Sequence, residues 1–470
     1  MSLEDALYPL LRIYEAAPQV VKSLAGRVYR AIPASMRYGA EYGRFQKEAR
    51  EVEGWDAETI RRYQTAAVRE SLMAAGKAPF YAERFAACGV DPAKFEALEQ
   101  LAEYPLLTKQ EILLNREQMV NPEIDAGRRL YITTGGSSGV QVGFYLEKGV
   151  SRPKEQAYLE AQWARRGYAV GDRVAVIRGG VTSSRADGSI SYYDATRNWL
   201  ILSSYHLTLE RLPEYVEAMN RFRPQHLHAY PSAALMLARG LEQTGQRLGF
   251  QLTSLLCGSE KLSAEAQRYL EGFFGARVFH WYGHSERVVL AAQGRESNEL
   301  QFWPTYGLVE FGEADAEGNR EIIGTSFHNR VMPLVRYRTG DYARMTNDKC
   351  GMTNGVVSEV VGRDYEFLVS GTGRRISLTA INMHDRIFDG LLAVQFYQER
   401  AGVVECRYQP GPQWQREREG AMHAGMMRKL GDDFELVMRE VKEVEKTSGG
   451  KHKWLVTRMG RGGRDEIGGP

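Results

Sequence analysis

Residues 130–146 read LYITTGGSSGVQVGFYL, and this stretch decides how the rest of the chain is interpreted. An apolar, β-branched run enters a cluster of threonine, glycine and serine residues, and a second apolar run leaves it. Glycines let a backbone approach a ligand closely, successive N–H groups in such a turn form a concavity that binds anions, and hydroxyls add donors. The stretch therefore predicts a polyphosphate-binding loop formed by Thr133, Thr134, Gly135, Gly136, Ser137, Ser138 and Gly139.

The loop is not a Walker A motif, which needs Gly-Lys-Ser/Thr followed by a helix. Val140, Gln141 and Val142 stand there instead, and the residues after them continue as a strand. A glycine-rich hairpin that only connects two strands is the alternative, since such turns are common.

The composition is that of a globular protein large enough for two or more domains. The chain has 470 residues, and its formal net charge of +2 gives no overall field that would recruit nucleic acid or an anionic membrane. Its four cysteines lie far apart and form no Cys-x-x-Cys pair, so neither a zinc site nor a disulfide framework is indicated. This cysteine usage fits a reducing cytoplasm, where we expect the protein to act.

The N-terminal segment 7–33 mixes Leu, Ile, Val and Tyr with Lys22, Arg27 and Arg30. Acidic residues near its start do not fit the basic beginning of a signal peptide, and the chain has no run of about 18 apolar residues that predicts a transmembrane helix. Two fates remain open for this amphipathic segment. It forms a helical cap packed on the core, or it lies on a membrane surface.

Regions of different periodicity predict the fold class. Residues 1–125 carry helix signals, such as the capping box of Thr108 and Glu111. Short apolar runs alternate with helical stretches from 130 to 283, which predicts an α/β domain with a largely parallel sheet, and residues 304–345 turn to β-strand patterns. The final region, about a hundred residues long, suits a small mobile domain.

Polar residues directly after the apolar runs are site candidates, because ligands bind beyond the carboxyl ends of parallel strands. One run is followed by Gly258-Ser259-Glu260, and another by a segment that contains Tyr282, Gly283, Ser285 and Glu286. Tyr282 offers a face on which a flat base stacks, and Glu286 offers an oxygen to a phosphate-bound Mg²⁺. A helix that begins at Ser285, with Glu286 favourable to its dipole, is the alternative.

Two further loops carry candidate chemistry. Asp341 follows a glycine and has the two acceptor oxygens that a ribose diol needs, although Asp after Gly in a loop is also typical of an Asx-turn. Near the C-terminus, residues 448–453 (SGGKHK) form a basic, glycine-containing loop around Lys451. A solvated surface turn is the alternative for that loop.

In order, the chain shows TTGGSSGVQV, GSEKL, YGHSE, YRTGD, VGRD and GGKHK. This ordered set resembles the adenylate-forming superfamily of acyl-CoA synthetases and related ligases. More narrowly, it resembles the phenylacetate–CoA ligase-like group, in the CapK-like branch associated with capsular polysaccharide biosynthesis. The resemblance implies an α/β N-terminal adenylation domain (1–362) with a helical cap and a β-rich subdomain. It also implies a small, mobile α+β lid domain (363–470) that carries the catalytic lysine loop.

The resemblance also implies ATP as cofactor and a role for each matching residue. By this resemblance the glycine-rich loop binds the phosphates, and the GSE segment and Tyr282 bind adenine. Ser285 contacts the α-phosphate, and Asp341 and Arg363 bind the ribose. The implied ATP-binding residues are Thr133, Thr134, Gly135, Gly136, Ser137, Ser138, Gly139, Gly258, Ser259, Glu260, Tyr282, Gly283, Ser285, Asp341 and Arg363.

By the same resemblance, Glu286 holds Mg²⁺ and Asp364 is the hinge between the two domains. Lys451 reaches from the small domain to the substrate carboxylate and the α-phosphate. The acyl pocket is expected near His226, His228, Tyr230, Gly258 and Trp281, at the ends of neighbouring strands. For His228 a satisfied buried histidine is the alternative, and aromatic residues are also ordinary core.

The chain departs from the family pattern where many members have Pro-Lys, because Gln141 and Val142 stand there. Arg152 and Lys154 lie downstream, but the sequence does not show that they reach the site. Three functions are open: an acid–amine ligase whose acceptor is an amine, including one on a saccharide; an aryl- or acyl-CoA synthetase that uses CoA; and a non-catalytic scaffold. The oligomeric state is open, a dimer included.

Overall fold

The computed structural model describes residues 17–134, 142–179, 189–315, 318–346, 355–361, 367–381, 388, 391–411, 414–445 and 453–459. Helices cover the N-terminal part, as the sequence predicted. They are α1 (Gln19–Ala31), α2 (Ala34–Tyr38), α3 (Ala40–Glu51), α4 (Ala57–Ala75), α5 (Pro79–Cys88) and α6 (Lys109–Asn115), with 3₁₀ turns at Val52–Gly54, Pro92–Lys94, Leu98–Glu103, Arg116–Met119 and Ala126–Arg128.

Side-chain caps explain why two of these helices begin where they do. Asp56 accepts a hydrogen bond of 2.8 Å from the backbone N–H of Thr59 at the start of α4. Thr108 and Glu111 form the predicted capping box at the start of α6, each side chain accepting from the other residue's backbone N–H. Such caps satisfy N–H groups that the first helical turn leaves without partners.

A hairpin precedes the central sheet. Strands β1 (Arg129–Thr133) and β2 (Gly143–Glu147) pair antiparallel, with Thr133 opposite Gly143. The predicted phosphate loop therefore connects two paired strands.

The central sheet has twelve strands among the described residues. Its order is β11-β12-β13-β14-β10-β9-β8-β7-β6-β3-β5-β4. The strands are β3 (Val174–Ile177), β4 (Ser191–Asp194), β5 (Trp199–Leu202), β6 (His226–Ala229), β7 (Ser254–Gly258), β8 (Arg277–Gly283), β9 (Leu290–Gln293), β10 (Leu300–Phe302), β11 (Gly307–Ala314), β12 (Arg320–Ser326), β13 (Tyr337–Met345) and β14 (Val356–Val361). Four helices accompany them: α7 (Ser151–Ala164), α8 (Leu212–Phe222), α9 (Pro231–Thr244) and α10 (Ala264–Phe274).

Only the middle of this sheet is parallel. Strands β5, β3, β6, β7 and β8 pair parallel, whereas β9 to β14 add antiparallel. The prediction of strand–helix alternation is confirmed. The largely parallel sheet expected for residues 130–283 is found in β3 and β5 to β8, with β4 and the β1–β2 hairpin antiparallel. The β-patterned region after residue 304 extends the same sheet through antiparallel hairpins.

A second, smaller sheet lies in the C-terminal region, after a short hairpin and helix. The elements are β15 (Phe367–Val369), β16 (Arg375–Ser377), α11 (Leu378–Ile381), β17 (Leu391–Arg400), β18 (Val403–Pro410), a 3₁₀ turn at Arg416–Arg418, α12 (Glu419–Leu430), β19 (Glu435–Glu440) and β20 (Leu455–Thr457). The sheet order is β19-β18-β17-β20. Arg374 donates a hydrogen bond of 2.9 Å to the carbonyl of Tyr205, which joins this region to the central one. The domain boundary at 362/363 stays a prediction.

Within the described residues, no helix is both long and apolar enough to cross a membrane. Helix α1 packs on the edge strand β4, but its apolar side faces solvent, with Val20 and Leu24 81% and 67% exposed. The interpretation of this segment as a cap that buries its apolar side on the core is therefore wrong for Gln19–Ala31.

Candidate active site

The carboxyl ends of the parallel strands lie side by side. Ile177 pairs with Ala229, Ala229 with Cys257, and Gly258 with Trp281. Because parallel neighbours end at the same edge of a sheet, the residues after these strands meet there. This is the edge at which the sequence predicted an active site.

Close packing explains the glycine at position 258. A Cβ atom there would lie 2.5 Å from the indole ring of Trp281, which is closer than carbon atoms approach each other. Trp281 is itself buried against the rings of His228, Trp163 and Phe279. Glycine at 258 therefore allows the tryptophan to lie across the strand end.

The backbone turns sharply at the next residue. Ser259 has φ of 70°, a left-handed conformation that costs free energy for any residue with a side chain and is often found at functional sites. Glu260 then accepts a hydrogen bond of 2.9 Å on its carboxylate from the backbone N–H of Ser232, in the first turn of α9. Its own carbonyl accepts from Nε2 of His280 at 3.0 Å. The GSE segment is thus fixed on both sides.

Arg178 connects the predicted adenine segment to the predicted acyl pocket. This residue follows β3 directly, and its guanidinium donates hydrogen bonds of 2.8 Å to Nε2 of His228 and 2.5 Å to Oγ of Ser259. The same guanidinium lies 4.6 Å from the centroid of the Tyr230 ring. One cation therefore contacts three residues that the sequence assigned to the site.

His228 lies in an aromatic enclosure. Its ring centroid lies 4.8 Å from that of Trp163, 5.6 Å from Trp281 and 6.2 Å from Trp199. Burial, together with the positive charges of Arg178 and Arg197, lowers the pKa of His228 well below its usual value. Nδ1 of this ring is buried and has no hydrogen-bond partner among the described residues. The expectation of a fully satisfied buried histidine therefore holds for only one of its two nitrogens.

Tyr282 is hydrogen-bonded to Asp341 across the sheet. The phenol donates to Oδ2 of Asp341 at 2.8 Å, and the backbone N–H of Asp341 donates to Oγ1 of Thr339 at 3.1 Å. Gly340, with φ of 75°, supplies the left-handed turn before Asp341. The two residues that the sequence assigned to adenine and ribose are therefore direct neighbours. The Asx-turn of the alternative interpretation is wrong, because Asp341 lies within β13 and its carboxylate accepts from Tyr282, while the local hydrogen bond is donated by its backbone N–H to Thr339.

Glu286 is a buried carboxylate in a turn between β8 and β9. Tyr337 donates to Oε1 at 2.6 Å, and Nδ1 of His284 lies 3.1 Å from Oε2. Burial alone raises a carboxyl pKa, but the hydrogen bond and charge of His284, the charge of Lys109 and the Tyr337 hydroxyl hold the pKa of Glu286 well below its usual range. A side chain that is 5% exposed is thus kept ionised.

The alternative interpretation of this segment is wrong, because no helix begins at Ser285. Residues 284–289 instead form a tight connection, after which Tyr282 pairs with Ala291 and Gly283 with Leu290. The half-buried Ser285 lies in this connection.

The glycine-rich hairpin is closed by one of its threonines. Thr134 donates its backbone N–H to the carbonyl of Val142 at 2.9 Å, and its hydroxyl accepts from the N–H of Val142 at 2.9 Å. Thr133 and Thr134 are both buried. The remaining predicted loop residues, Gly135, Gly136, Ser137, Ser138 and Gly139, lie outside the described residues, as do Arg363, Asp364 and Lys451.

The chain is similar to two groups of named proteins. CapK from Staphylococcus aureus is 25% identical over 272 residues, which cover 57% of this chain and 59% of CapK. A phenylacetate–coenzyme A ligase from Pseudomonas putida is 27% identical over 301 residues, covering 61% of this chain and 67% of that enzyme. CapK and the phenylacetate–coenzyme A ligases are homologues of this chain. The group that the ordered motifs predicted is thereby confirmed.

The extent of these similarities is limited. The match spans less than two thirds of the length of CapK, and no protein-family profile matches the chain. A solved structure of a 2-hydroxyisobutyryl-coenzyme A ligase in complex with an acyl-AMP and coenzyme A superposes with a TM-score of 0.49 at 16% identity, over 91% of each chain.

The candidate site fits the Mg²⁺ that the phenylacetate–coenzyme A ligase resemblance implies. Mg²⁺ typically takes one or two carboxylates together with phosphate oxygens and water, rather than a cage of protein ligands. Within the described part of the chain, no group of three or more His, Cys, Asp or Glu residues is arranged to hold a metal. Glu286 is ionised, and an ionised carboxylate has about four acceptor positions, of which two are used.

Three residues that support the site were not predicted from the sequence. Arg178 directly follows the apolar run of β3, so the search for polar residues at strand ends could have found it. His284 lies inside the YGHSE motif and contacts its last residue. Tyr337 is the first residue of the YRTGD motif, but its contact with Glu286 depends on the arrangement of β13 in the sheet.

Lys154 does not lie free to replace the lysine that the phosphate loop lacks. Its ammonium donates to the carbonyls of Tyr306 at 2.6 Å and Phe327 at 3.2 Å, and it lies 3.9 Å from the centroid of the Tyr306 ring. The side chain is buried and tied to these elements. We therefore assign Lys154 to the support of the fold.

Proposed function

We propose that this protein is an ATP-dependent, AMP-forming ligase that activates a carboxylic acid as an acyl-adenylate, releases pyrophosphate and transfers the acyl group to an amine. The observation that carries the proposal is the buried, ionised Glu286 beside the hydrogen-bonded pair of Tyr282 and Asp341. A site for a nucleoside triphosphate needs one carboxylate for the metal ion on the phosphates and another nearby for the ribose hydroxyls. Glu286 and Asp341 are proposed for these two roles. The homology to CapK and to ligases supports the same conclusion.

The chemistry explains the residue types. A carboxylate must attack the α-phosphorus although both partners are anions, so repulsion and positioning dominate the barrier. In this proposal Asp341 orients the ribose, Tyr282 lies against the base, and Ser285 contacts the α-phosphate. Lys451 bridges the acid and the α-phosphate, which stabilises the charge that builds up on them. Mg²⁺, held by Glu286, supplies charge neutralisation on the phosphates.

The domain division belongs to the same proposal. Residues 1–362 bind ATP and the acid, and residues 363–470 form a lid that brings Lys451 in and later removes it. Asp364 is the hinge, Arg363 contacts the ribose, and Gly135–Gly139 complete the phosphate loop begun by Thr133 and Thr134. A lysine on a mobile lid can leave after adenylation, which opens the site to the acyl acceptor.

The enclosure of His228, Tyr230 and Trp281 is the proposed acyl pocket. Aromatic walls favour a flat or apolar acid, whereas an unpartnered N–H favours an acceptor atom on that acid. Nδ1 of the neutral His228 is such a donor, because its Nε2 accepts from Arg178. The acid is therefore expected to be aromatic with a polar substituent.

A second candidate is an acyl-CoA synthetase, which the names of four relatives favour, since all four are phenylacetate–coenzyme A ligases. The two functions share the first half-reaction and differ in the acceptor. We rank the amine first because the ordered motifs resemble the CapK-like branch, and CapK is among the proteins to which the chain is similar.

The test is pyrophosphate release from ATP and Mg²⁺ across a panel of aromatic and aliphatic acids, with CoA, simple amines or amino sugars added or withheld. Acceleration by an amine, with an amide formed, supports the proposal. Acceleration by CoA, with a thioester formed, establishes the second candidate. Absence of both release and ATP binding by calorimetry would show a non-catalytic scaffold. The Glu286→Gln variant, purified and assayed in the same way, is the control. Pyrophosphate release that persists in this variant comes from contaminating enzymes.

A further inference from the structure

Helix α1 differs from an ordinary amphipathic surface helix, because its polar side packs on the protein and its apolar side does not. Gly26 is its buried point of contact, because a Cβ atom at this position would lie 2.5 Å from Cβ of Ala195. On the same side, Arg30 donates to the hydroxyl of Tyr193 at 3.2 Å and to the carbonyl of Ala195 at 3.3 Å. The polar side of the helix therefore faces the protein.

The apolar side of α1 faces solvent. Val20, Val21, Leu24 and Val28 are 81%, 53%, 67% and 62% exposed, and at 100° per residue they fall on the side opposite Gly26. Met36, in the following helix, adds another exposed apolar side chain at 65%. A contiguous exposed patch of this kind marks an interaction surface.

The charged residues of this segment are all basic. Residues 16–40 contain Lys22, Arg27, Arg30 and Arg37 and no Asp or Glu; Arg27 is exposed, Lys22 and Arg30 are half-buried, and Arg37 is buried. A basic helix with an apolar side is the pattern of segments that lie in the interface of an anionic membrane. Each Lys or Arg near such a surface adds about 1 kcal/mol of attraction.

Beside the patch is a cavity of about 430 Å³ lined by Arg30, Arg37, Ile32, Pro33 and Tyr42 among others. Arg37 is 4% exposed, and its Nε is buried without a hydrogen-bond partner among the described residues. The rings of Tyr29 and Tyr38, each with its centroid 5.3 Å away, flank the guanidinium. A buried guanidinium without an acceptor is costly, so an anion in the cavity would stabilise it.

Glu160 interacts electrostatically with Arg37, but it forms no ion pair with that residue in the described part of the chain. Its Oε2 accepts from the hydroxyl of Tyr42, and its Oε1 accepts from the amide of Gln156. The cavity therefore offers a guanidinium to a ligand that brings its own negative charge.

We infer that α1 docks this protein on a membrane that contains anionic phospholipids. The apolar side of α1 enters the interface, and Arg37 binds a headgroup phosphate in the adjacent cavity. An anionic phospholipid has both an apolar part, which matches the exposed side of α1, and an anionic part, which matches the adjacent cavity with Arg37. This inference is independent of the proposed catalytic function.

The experiment is co-sedimentation of the full chain with vesicles of phosphatidylcholine mixed with phosphatidylglycerol, compared with phosphatidylcholine alone. We expect binding to the mixed vesicles that weakens as salt is added. The double variant Leu24→Asp, Val28→Asp should lower partitioning about tenfold or more, because it charges the side that enters the interface. Arg37→Gln should lower it about fivefold.

Matched controls change similar residues elsewhere. Met73→Asp charges an exposed apolar residue of α4, and Arg221→Gln removes an exposed cation of α8. Both should bind as the wild type does. Equal losses in the controls, or a wild type that ignores phosphatidylglycerol, would overturn the inference.

The same variants also test whether something other than a membrane covers the apolar side of α1 or fills the cavity beside it. If Leu24→Asp, Val28→Asp lowered the melting temperature, the patch would be covered by another part of this chain, such as residues 1–16. If it abolished self-association seen by light scattering, the patch would be a contact between copies. Binding of inorganic phosphate or glycerol phosphate that depends on Arg37, without vesicle binding, would show a soluble anion site. Each of these results would overturn membrane docking.

Discussion

Arg178 donates a hydrogen bond of 2.8 Å to Nε2 of His228, and this bond fixes the chemistry of a buried imidazole. A guanidinium only donates, so Nε2 must be the acceptor and the proton of the neutral ring lies on Nδ1. The positive charge of Arg178 and the burial of the ring both disfavour a second proton. His228 is therefore a neutral donor within the proposed acyl pocket.

Replacing Arg178 should impair use of the acid. Arg178→Met removes the donor to His228 and the contact with Ser259, and we expect kcat/KM for the preferred acid to fall about 10²-fold. Arg178→Lys should recover only part of this, because lysine lacks the planar guanidinium that reaches both partners.

The positioning role of Arg178 has a spectroscopic signature. Imidazole ¹⁵N spectra of the wild type should show His228 as the Nδ1–H tautomer, and Arg178→Met should change that signal. A wild-type imidazole protonated on Nε2 at neutral pH would contradict the assignment, whatever the kinetics.

The hydroxyl of Tyr282 should matter for ATP more than for the chemical step. Tyr282→Phe keeps the ring and removes the hydrogen bond to Asp341, worth about 0.5–1.5 kcal/mol, so KM for ATP should rise about two- to tenfold while kcat changes little. Asp341→Asn removes the ribose-binding charge and should raise KM further. If Tyr282→Phe lowered kcat and left KM unchanged, the tyrosine would not act through Asp341.

Glu286→Gln tests the metal role. The substitution keeps the size of the side chain and removes the negative charge, so we expect the Mg²⁺ concentration at half-maximal pyrophosphate release to rise about tenfold or more. Tyr337→Phe is the control, since it removes a hydrogen bond to the same carboxylate and leaves the charge. Unchanged Mg²⁺ dependence in Glu286→Gln would count against Glu286 as a metal ligand.

The sequence predicted the elements better than their arrangement. Local patterns located both elements. The strand from Val174 to Ile177 is a continuous apolar run because all four residues are buried, and the helix from Ala264 to Phe274 shows a helical period because one side of it is buried. Local patterns did not show that the region after residue 304 extends the same sheet, because strand pairing depends on contacts between residues far apart in the chain.

In the candidate site, too, the residues in local motifs could be predicted better than the contacts between distant parts of the chain. Glu286 and Asp341 could be found from the short motifs YGHSE and YRTGD, in which each is the last residue. The contacts that support them could not all be found, because Tyr337, although it lies in the YRTGD motif, is 51 positions from Glu286 and the hydrogen bond between them is set by the fold. The direction in which α1 faces was likewise not predictable, because a helical period shows that one side is apolar but not where that side points.

Lys154 should make stability depend on pH in a defined window. Burial lowers its pKa to about 7, partly opposed by Glu155 and Glu48. The unfolded chain, with the ordinary lysine value of 10.5, binds more protons than the folded chain between these two values. Folding stability should therefore rise as pH increases above 7, by at most about 5 kcal/mol over the whole window.

Chemical denaturation of the wild type and Lys154→Met from pH 7 to 9 measures this contribution. The difference in the free energy of unfolding between the wild type and Lys154→Met should change with pH. The difference between the wild type and Lys77→Met, which removes an exposed lysine, should stay constant. A constant difference for Lys154→Met as well would mean that the buried lysine is charged throughout.

Lys451→Ala should separate the two half-reactions. In the proposed mechanism Lys451 bridges the acid and the α-phosphate only during adenylation, so its loss should slow acyl-adenylate formation about 10²–10³-fold. Transfer from a supplied acyl-AMP to the acceptor should change much less, because the lid has moved the lysine away by that stage. Stopped-flow pyrophosphate release measures the first step, and product formation from synthetic acyl-AMP measures the second. Lys453→Ala, two positions along the same loop, is the matched control for loss of a cation. Equal losses in both half-reactions would mean that Lys451 supports the loop as a whole and does not act in adenylation.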